Sequence, residues 1–144
     1  MKFLKITLFS ITILLNVQIH AQDLTKHQWK DRVLLIVTDN PNSKEFQKQV
    51  KTLKHQETEL KNRKLIIYQI TPSEYKMGFS EEKKWIKNDK LYNNTKTIDN
   101  SFEVILIGLD GGEKLRQNEL LSADKLFDVI DGMPMRRSEI ENKN

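Results

Sequence analysis

The chain contains no cysteine among its 144 residues. Thiolate attack, disulfide exchange and peroxide reduction at sulfur all need a cysteine side chain, and methionine cannot form a thiolate. The same absence excludes disulfide bonds, so the hydrophobic core must stabilise the fold unaided. It also excludes a lipid anchor attached to a cysteine. Thiol oxidoreductase and peroxidase activities are therefore rejected.

Histidine is scarce as well, and only His27 and His55 lie beyond residue 21. His55 and Glu59 are one helical turn apart, so their side chains could together bind a metal weakly. We interpret them instead as solvated side chains on a polar helix face. There is no nucleophile-elbow motif, and helix capping explains Asp39 and Ser43 better than catalysis does. We expect no catalytic residue, no metal and no cofactor.

A one-sided charge is also missing. The chain has 24 Lys and Arg against 20 Asp and Glu, and two of the lysines, Lys2 and Lys5, belong to the N-terminal segment. The remainder is close to neutral, whereas a nucleic-acid surface calls for a basic stripe. We expect no nucleic-acid partner.

The first 21 residues have the three parts of a secretory signal. Lys2 and Lys5 form a short basic region, Ile6 to Leu15 is apolar, and Ala21 is a small residue at which a peptidase can cut. The apolar run is shorter than the roughly 20 residues that a membrane-spanning helix needs. We expect export to the periplasm or the medium, with no membrane span after removal of the signal.

The 123 residues that follow suit one domain with a single core. We therefore predict a signal peptide over 1–21, a single domain over 22–138 and a polar tail over 139–144. Trp29 is expected to close one end of the core.

Strand and helix patterns alternate along this domain. Arg32 to Thr38 is apolar enough to be a strand buried on both faces, and Lys64 to Ile70 is a second β-rich run. Between them, Asn42 and Glu45 form a capping box for a helix that extends toward Leu60. This order predicts a βαβ unit with two parallel strands and a right-handed crossover.

The second half adds a helix that begins at Ser80, a polar loop from Asn88 to Ser101 and a third strand from Phe102 to Gly108. A tight hairpin and a short strand, Glu113 to Arg116, follow. A last helix, capped by Ser122, extends to about Met133 and is stopped by Pro134. The predicted order is β, α, β, α, β, β, α.

The tract from Phe102 to Glu139 also resembles a known family. Its patterns DGG-x-K-x-R and D-x-MPMRR-x-E, and more weakly WKDR before the first strand, are similar to those of small exported domains of unknown function related to the P-DUDES modules of sushi-repeat and equarin-type extracellular proteins. The matching positions for which we predict structural roles are Asp110, Gly111, Gly112, Asp131, Met133, Pro134, Met135 and Glu139.

The resemblance implies a thioredoxin-like α/β fold, in which a mixed four-stranded sheet (a βαβ unit plus a ββα unit) is flanked by helices. In a redox thioredoxin the dithiol follows the first strand of the βαβ unit, where this chain has Thr38 to Ser43. Asn100 and Ser101 stand where the cis-proline loop is usual. The resemblance implies no established activity. It favours a binding or interaction module whose partner is an extracellular or envelope protein, or an anionic glycan.

One constellation of cations is a candidate site. The short last strand carries Lys114 and Arg116, while Arg136 and Arg137 follow the last helix, which packs near that strand in this topology. Together they would form a cradle for a carboxylate, a phosphate or a sulfated glycan, or would hold the anionic substrate of an enzyme that does not use thiols. Internal ion pairing with nearby acids such as Asp110 is the alternative.

Overall fold

The computed structural model describes residues 22–96 and 99–143. The predicted signal segment, 1–21, lies outside the described residues. The elements run in the order α1 (Gln22–Thr25), β1 (Arg32–Thr38), α2 (Lys44–Lys54), α3 (Glu57–Asn62), β2 (Leu65–Ile70), β3 (Glu74–Met77), β4 (Ile86–Lys87), α4 (Lys90–Thr95), β5 (Phe102–Ile107), β6 (Glu113–Gln117), α5 (Ala123–Asp131) and α6 (Pro134–Glu141).

The strands form one six-stranded sheet in the order β4-β3-β2-β1-β5-β6. β1 lies at its centre, parallel to β2 and antiparallel to β5. All seven residues of β1 are buried, as its unbroken apolar run predicts. The predicted βαβ unit is confirmed, with α2 and α3 between its two parallel strands.

Each face of the sheet has its own apolar core. Side chains of α2, α3 and α5 pack on one face, for example Phe46, Leu60 and Leu126, and we call this the α2/α5 face. The other, the α4 face, is covered by Leu91 of α4 and by Leu24 of α1. No helix in the described part of the chain is both long enough and apolar enough to cross a membrane.

The predicted number of strands was wrong, because the segment after β2 turns back as a hairpin instead of starting a helix at Ser80. Thr71 closes the turn by donating both its backbone N–H and its hydroxyl to the carbonyl of Glu74, each at 2.9 Å. In β3, Tyr75 then stacks on Tyr68 of β2, with ring centroids 5.5 Å apart. This stacking buries an aromatic side chain on the sheet, and helical backbone at Tyr75 would break the pairing of β3 with β2.

Two further boundaries differ from those predicted. The predicted loop contains α4, where the side-chain oxygen of Asn88 accepts a hydrogen bond from the backbone N–H of Leu91 at 3.0 Å. Pro134 begins a helix instead of ending one, since proline fits the first turn, where its missing N–H would have no helical partner. This helix extends to Glu141.

Trp29 does not close the core as expected. Its side chain is 64% exposed, its φ is +64°, and its backbone N–H donates to the carbonyl of Leu109 at 2.7 Å. The buried position is taken by His27, whose ring nitrogens lie 2.8 Å from the hydroxyl of Tyr68 and 3.0 Å from Asp31. The left-handed backbone at Trp29 therefore turns the indole outward.

Candidate functional site

The predicted cations Lys114 and Arg116 lie at the β5–β6 hairpin, and each is paired with acids. The Lys114 ammonium is 2.8 Å from Asp110 within the turn. Arg116 bonds the exposed Glu113 and also reaches the buried Glu103 at 3.2 Å. It donates to a carbonyl of α4 as well, so Arg116 lies on the α4 face.

Arg136 lies on the opposite side of the sheet. It is buried, and it donates to Asp131 at 3.1 Å, to the carbonyl of Asn62 at 3.0 Å and to Glu139 at 3.3 Å. Arg137 is exposed and has no ion pair with any described residue. The sheet therefore separates the four cations, and they do not form one cradle. Anion binding by any of them stays a prediction.

The motif around Arg136 has a structural explanation in a charged network that fastens α6. The guanidinium of Arg32, with no exposed surface, lies 3.3 Å from Glu139. Arg63 lies 2.7 Å from Asp131, which also accepts from Arg136. Sequence reasoning named Arg32 only as the end of the WKDR pattern and did not single out Arg63. Both lie far from the C-terminal motif in the sequence, and only the fold brings them to it.

The other motif positions shape backbone or packing. Gly111 has φ +81°, a left-handed conformation that glycine adopts without strain. Asp110 accepts a hydrogen bond from the N–H of Gly112 at 3.0 Å, which closes the turn. Met133 precedes α6 and packs against the core of the α2/α5 face, whereas Met135 is 45% exposed.

The charged network makes stability sensitive to acid. Burial acts to raise the pKa of Asp131, but hydrogen bonds from Arg63 and Arg136 outweigh it and hold this pKa below its ordinary value of 3.8. A carboxyl with a lowered folded-state pKa contributes stability above the unfolded value, and that contribution is lost as pH falls through the folded-state pKa.

When the pH is lowered from 7 to about 3, the free energy of unfolding should therefore fall less in Asp131→Asn than in the unmodified protein. Urea unfolding at the two pH values measures it. Asp128→Asn changes an exposed carboxyl on the same helix that forms no ion pair with a described residue, and it should keep the full loss. Equal losses in both variants would contradict the assignment.

A second cluster lies at the end of β1, where Asp39 directly follows the strand. Asp39 accepts hydrogen bonds from the Tyr92 hydroxyl and from the Lys96 ammonium, the latter at 2.5 Å. Hydrogen bonds from Lys96 and then Tyr92 lower the pKa of Asp39. We call these three residues the Asp39 cluster. Sequence reasoning assigned both Asp39 and Ser43 to helix capping and placed a capping box at Asn42. Ser43 does cap α2, so the box at Asn42 was wrong. Asp39 instead joins α4 to the end of β1.

An open groove of about 510 Å³ lies beside α2 on the α2/α5 face, and we call it the α2 groove. Buried Phe46 and Phe79, with the partly exposed Trp85, give it an aromatic floor. Lys51 and Lys76 line it, and neither forms an ion pair with a described residue. Lys54, Glu74 and Glu81 complete its charged lining, with 4.0 Å between Lys54 and Glu81.

Within residues 22–96 and 99–143, no group of His, Asp and Glu side chains has the arrangement to hold a metal ion. The candidate sites are therefore the α2 groove and the Asp39 cluster. Both adjoin the segment that follows β1, next to the carboxyl ends of the two parallel strands.

The sequence matches the family described as "Domain of unknown function (DUF4174)" over residues 23–139. The chain belongs to this family. The match includes all of the charged network and both candidate sites. No curated protein sequence matches the chain significantly.

The structure is similar to that of the reduced 2-Cys peroxiredoxin of Plasmodium vivax. The TM-score is 0.56 at 18% sequence identity, covering 80% of this chain and 72% of the peroxiredoxin chain. At this identity the likeness shows the fold alone, and the predicted thioredoxin-like fold is confirmed. The name of that protein refers to two cysteines, whereas this member of the DUF4174 family has none.

Proposed function

We propose that this protein is an exported binding module, related to the P-DUDES modules, that holds a segment of a partner protein in the α2 groove. Thiol chemistry has no part in it, because the chain has no cysteine. The observation that carries the proposal is that one open groove combines an aromatic floor with two lysines that have no acidic partner among the described residues.

The floor suits apolar side chains of a ligand. Phe46 and Phe79 are only 2% and 6% exposed, so packing fixes their positions before any ligand arrives. Trp85 remains partly exposed and offers a flat apolar surface. A groove of about 510 Å³ lies within the usual range for ligand sites of roughly 300–1,000 Å³. A preformed floor lowers the entropic cost of binding.

The lysines indicate the charge of the ligand. Lys51 belongs to α2 and Lys76 to β3, and both line the groove, whose three lysines outnumber its two glutamates, Glu74 and Glu81. Ammonium groups without an internal partner attract carboxylates and raise association rates. The groove thus fits an acidic segment with alternating apolar residues, and it adjoins the carboxyl ends of the parallel strands, where α/β proteins often bind ligands.

The chain allows a direct fluorescence test, because it has 2 tryptophans, and Trp29→Phe leaves Trp85 as the single reporter in the groove. We expect a peptide of alternating aspartate and phenylalanine to change the Trp85 emission, and its lysine counterpart to have little effect. Lys76→Glu should weaken the acidic peptide about fivefold, or about 1 kcal/mol. Added salt should weaken it as well.

Lys48→Glu is the matched control, because Lys48 is an exposed lysine of α2 that does not line the groove, and the net charge changes equally. An unchanged emission with acidic peptide at millimolar concentration would refute the groove as the site, and so would equal weakening by both variants. Export has a separate test: N-terminal sequencing of the protein from its native cells should begin near Gln22.

A further inference from the structure

Glu103 is a buried carboxyl group that the fold satisfies poorly. It lies in β5 opposite Val37 of the central strand and is 1% exposed. One of its oxygens accepts a hydrogen bond from Arg116 at 3.2 Å. The other has no hydrogen-bond partner among the described residues. A charged carboxylate in this position lacks both water and a full set of donors, which opposes the ionised form.

Arg116 does not compensate fully for this burial, because it is shared. It donates to both oxygens of Glu113, at 3.0 and 2.9 Å, and to the carbonyl of Thr95 in α4 at 3.4 and 3.3 Å. When Glu103 is neutral, Arg116 keeps Glu113 as its ion-pair partner. Protonation of Glu103 therefore leaves no buried cation unpaired.

We propose that Glu103 is a proton-binding site through which mild acidification tightens the packing of α4 and β6 on β5. The charged and titratable groups that face it come from three elements. Arg116 and Glu113 are on β6. Tyr92 lies in α4 and Lys96 directly follows it, and both donate to Asp39 at the end of β1. This inference is independent of what the α2 groove binds.

The direction of the response follows from linkage. Burial raises the pKa of Glu103 above its ordinary 4.5, although Arg116 and Lys96 oppose the change. In a locally open state that admits water, the pKa returns toward 4.5. The closed state thus binds the proton more tightly, and it gains stability as pH falls through the closed-state pKa toward 4.5.

The Asp39 cluster responds with the opposite sign. Hydrogen bonds from Lys96 and Tyr92 lower the pKa of Asp39 below 3.8, so stronger acid weakens its hold on α4. Protection of the α4 amides from hydrogen exchange should therefore be greatest at an intermediate acidic pH, at which Glu103 is protonated and Asp39 is still ionised.

Hydrogen exchange of the α4 and β6 amides, followed by NMR and corrected for the intrinsic pH dependence of exchange, tests the proposal. In the unmodified protein, protection should rise as pH falls from 7 toward 4.5. Each full pH unit between the closed and open pKa values changes the protection factor tenfold. Glu103→Gln keeps the shape without the charge and should remove this rise.

Glu119→Gln is the control, because it removes an exposed carboxylate just after β6 that forms no ion pair with a described residue, and it should keep the rise. Circular dichroism establishes whether each variant is folded. A 13C titration of the Glu103 carboxyl in the unmodified protein tests the proposal without any variant. A rise that persists in Glu103→Gln, no rise in the unmodified protein, or a titration at or below 4.5 would each overturn it.

Discussion

Replacing Glu139 with alanine is expected to lower the free energy of unfolding by about 3–5 kcal/mol, the range for breaking a buried ion pair by removal of one partner. Glu139 accepts hydrogen bonds from Arg32, at 3.3 Å, and from Arg136, also at 3.3 Å. Arg32 has no exposed surface, and its Nε already lacks a partner among the described residues. Without Glu139, its buried guanidinium would keep only the carbonyl of Arg63.

Urea unfolding at pH 7 measures this loss. Glu141→Ala removes an exposed carboxylate of the same helix and should change stability by less than about 0.5 kcal/mol. The double change Arg32→Met with Glu139→Leu should cost less than Glu139→Ala alone, because the fully buried guanidinium of Arg32 is then removed with its partner, while Arg136 keeps Asp131. If Glu139→Ala costs under about 1 kcal/mol, the network does not fasten α6 as described.

Leu34→Ala is expected to cost about 2–5 kcal/mol, as buried leucines do when a cavity replaces them. Leu34 is 0% exposed at the middle of the sheet, where it pairs with Ile67 on one side and Leu106 on the other. Its side chain belongs to the core of the α2/α5 face. Strands pair on both sides, so the backbone cannot move to fill the space.

The matched control is Leu120→Ala, which removes the same atoms from a side chain that is 40% exposed. It should cost less than about 0.5 kcal/mol. Thermal or urea unfolding of the two variants gives the comparison. Similar losses in both would mean that the central strand does not form the core described.

The strands of the central sheet and the last hairpin were predictable from sequence. The runs that form β1 and β5 are almost unbroken apolar segments, a pattern that depends on neighbouring residues alone. Ser122 was correctly predicted to cap the last long helix, where its hydroxyl accepts from the N–H of Lys125 at 3.2 Å. These signals are local, so they do not depend on the rest of the fold.

The segment between β2 and β5 was not predictable in this way. Acids after Ser80 are typical of a helix start, yet Trp85 packs on the core of the α2/α5 face and Ile86 lies in β4. Tyr75 in β3 stacks on Tyr68 of β2, a contact between two different strands. Contacts of this kind override weak local propensity.

The candidate sites divide in the same way. The sequence identified charged residues worth attention at Lys114, Arg116, Arg136 and Arg137, but not which acids they meet. The fold places Arg116 against Glu103 on one face and Arg136 against Asp131 on the other. It also reveals the Asp39 cluster and the α2 groove, whose members come from separate segments.

Composition alone excludes thiol chemistry for this chain, because reactivity of a thiolate requires cysteine and no arrangement of other residues supplies it. The apolar runs in the sequence also predicted the central strands, because such runs depend only on neighbouring residues. The fold was needed to show which charges are paired, which buried carboxyl has one oxygen without a partner among the described residues, and where a groove opens. Those properties depend on distances between residues far apart in the chain, and folding alone sets such distances.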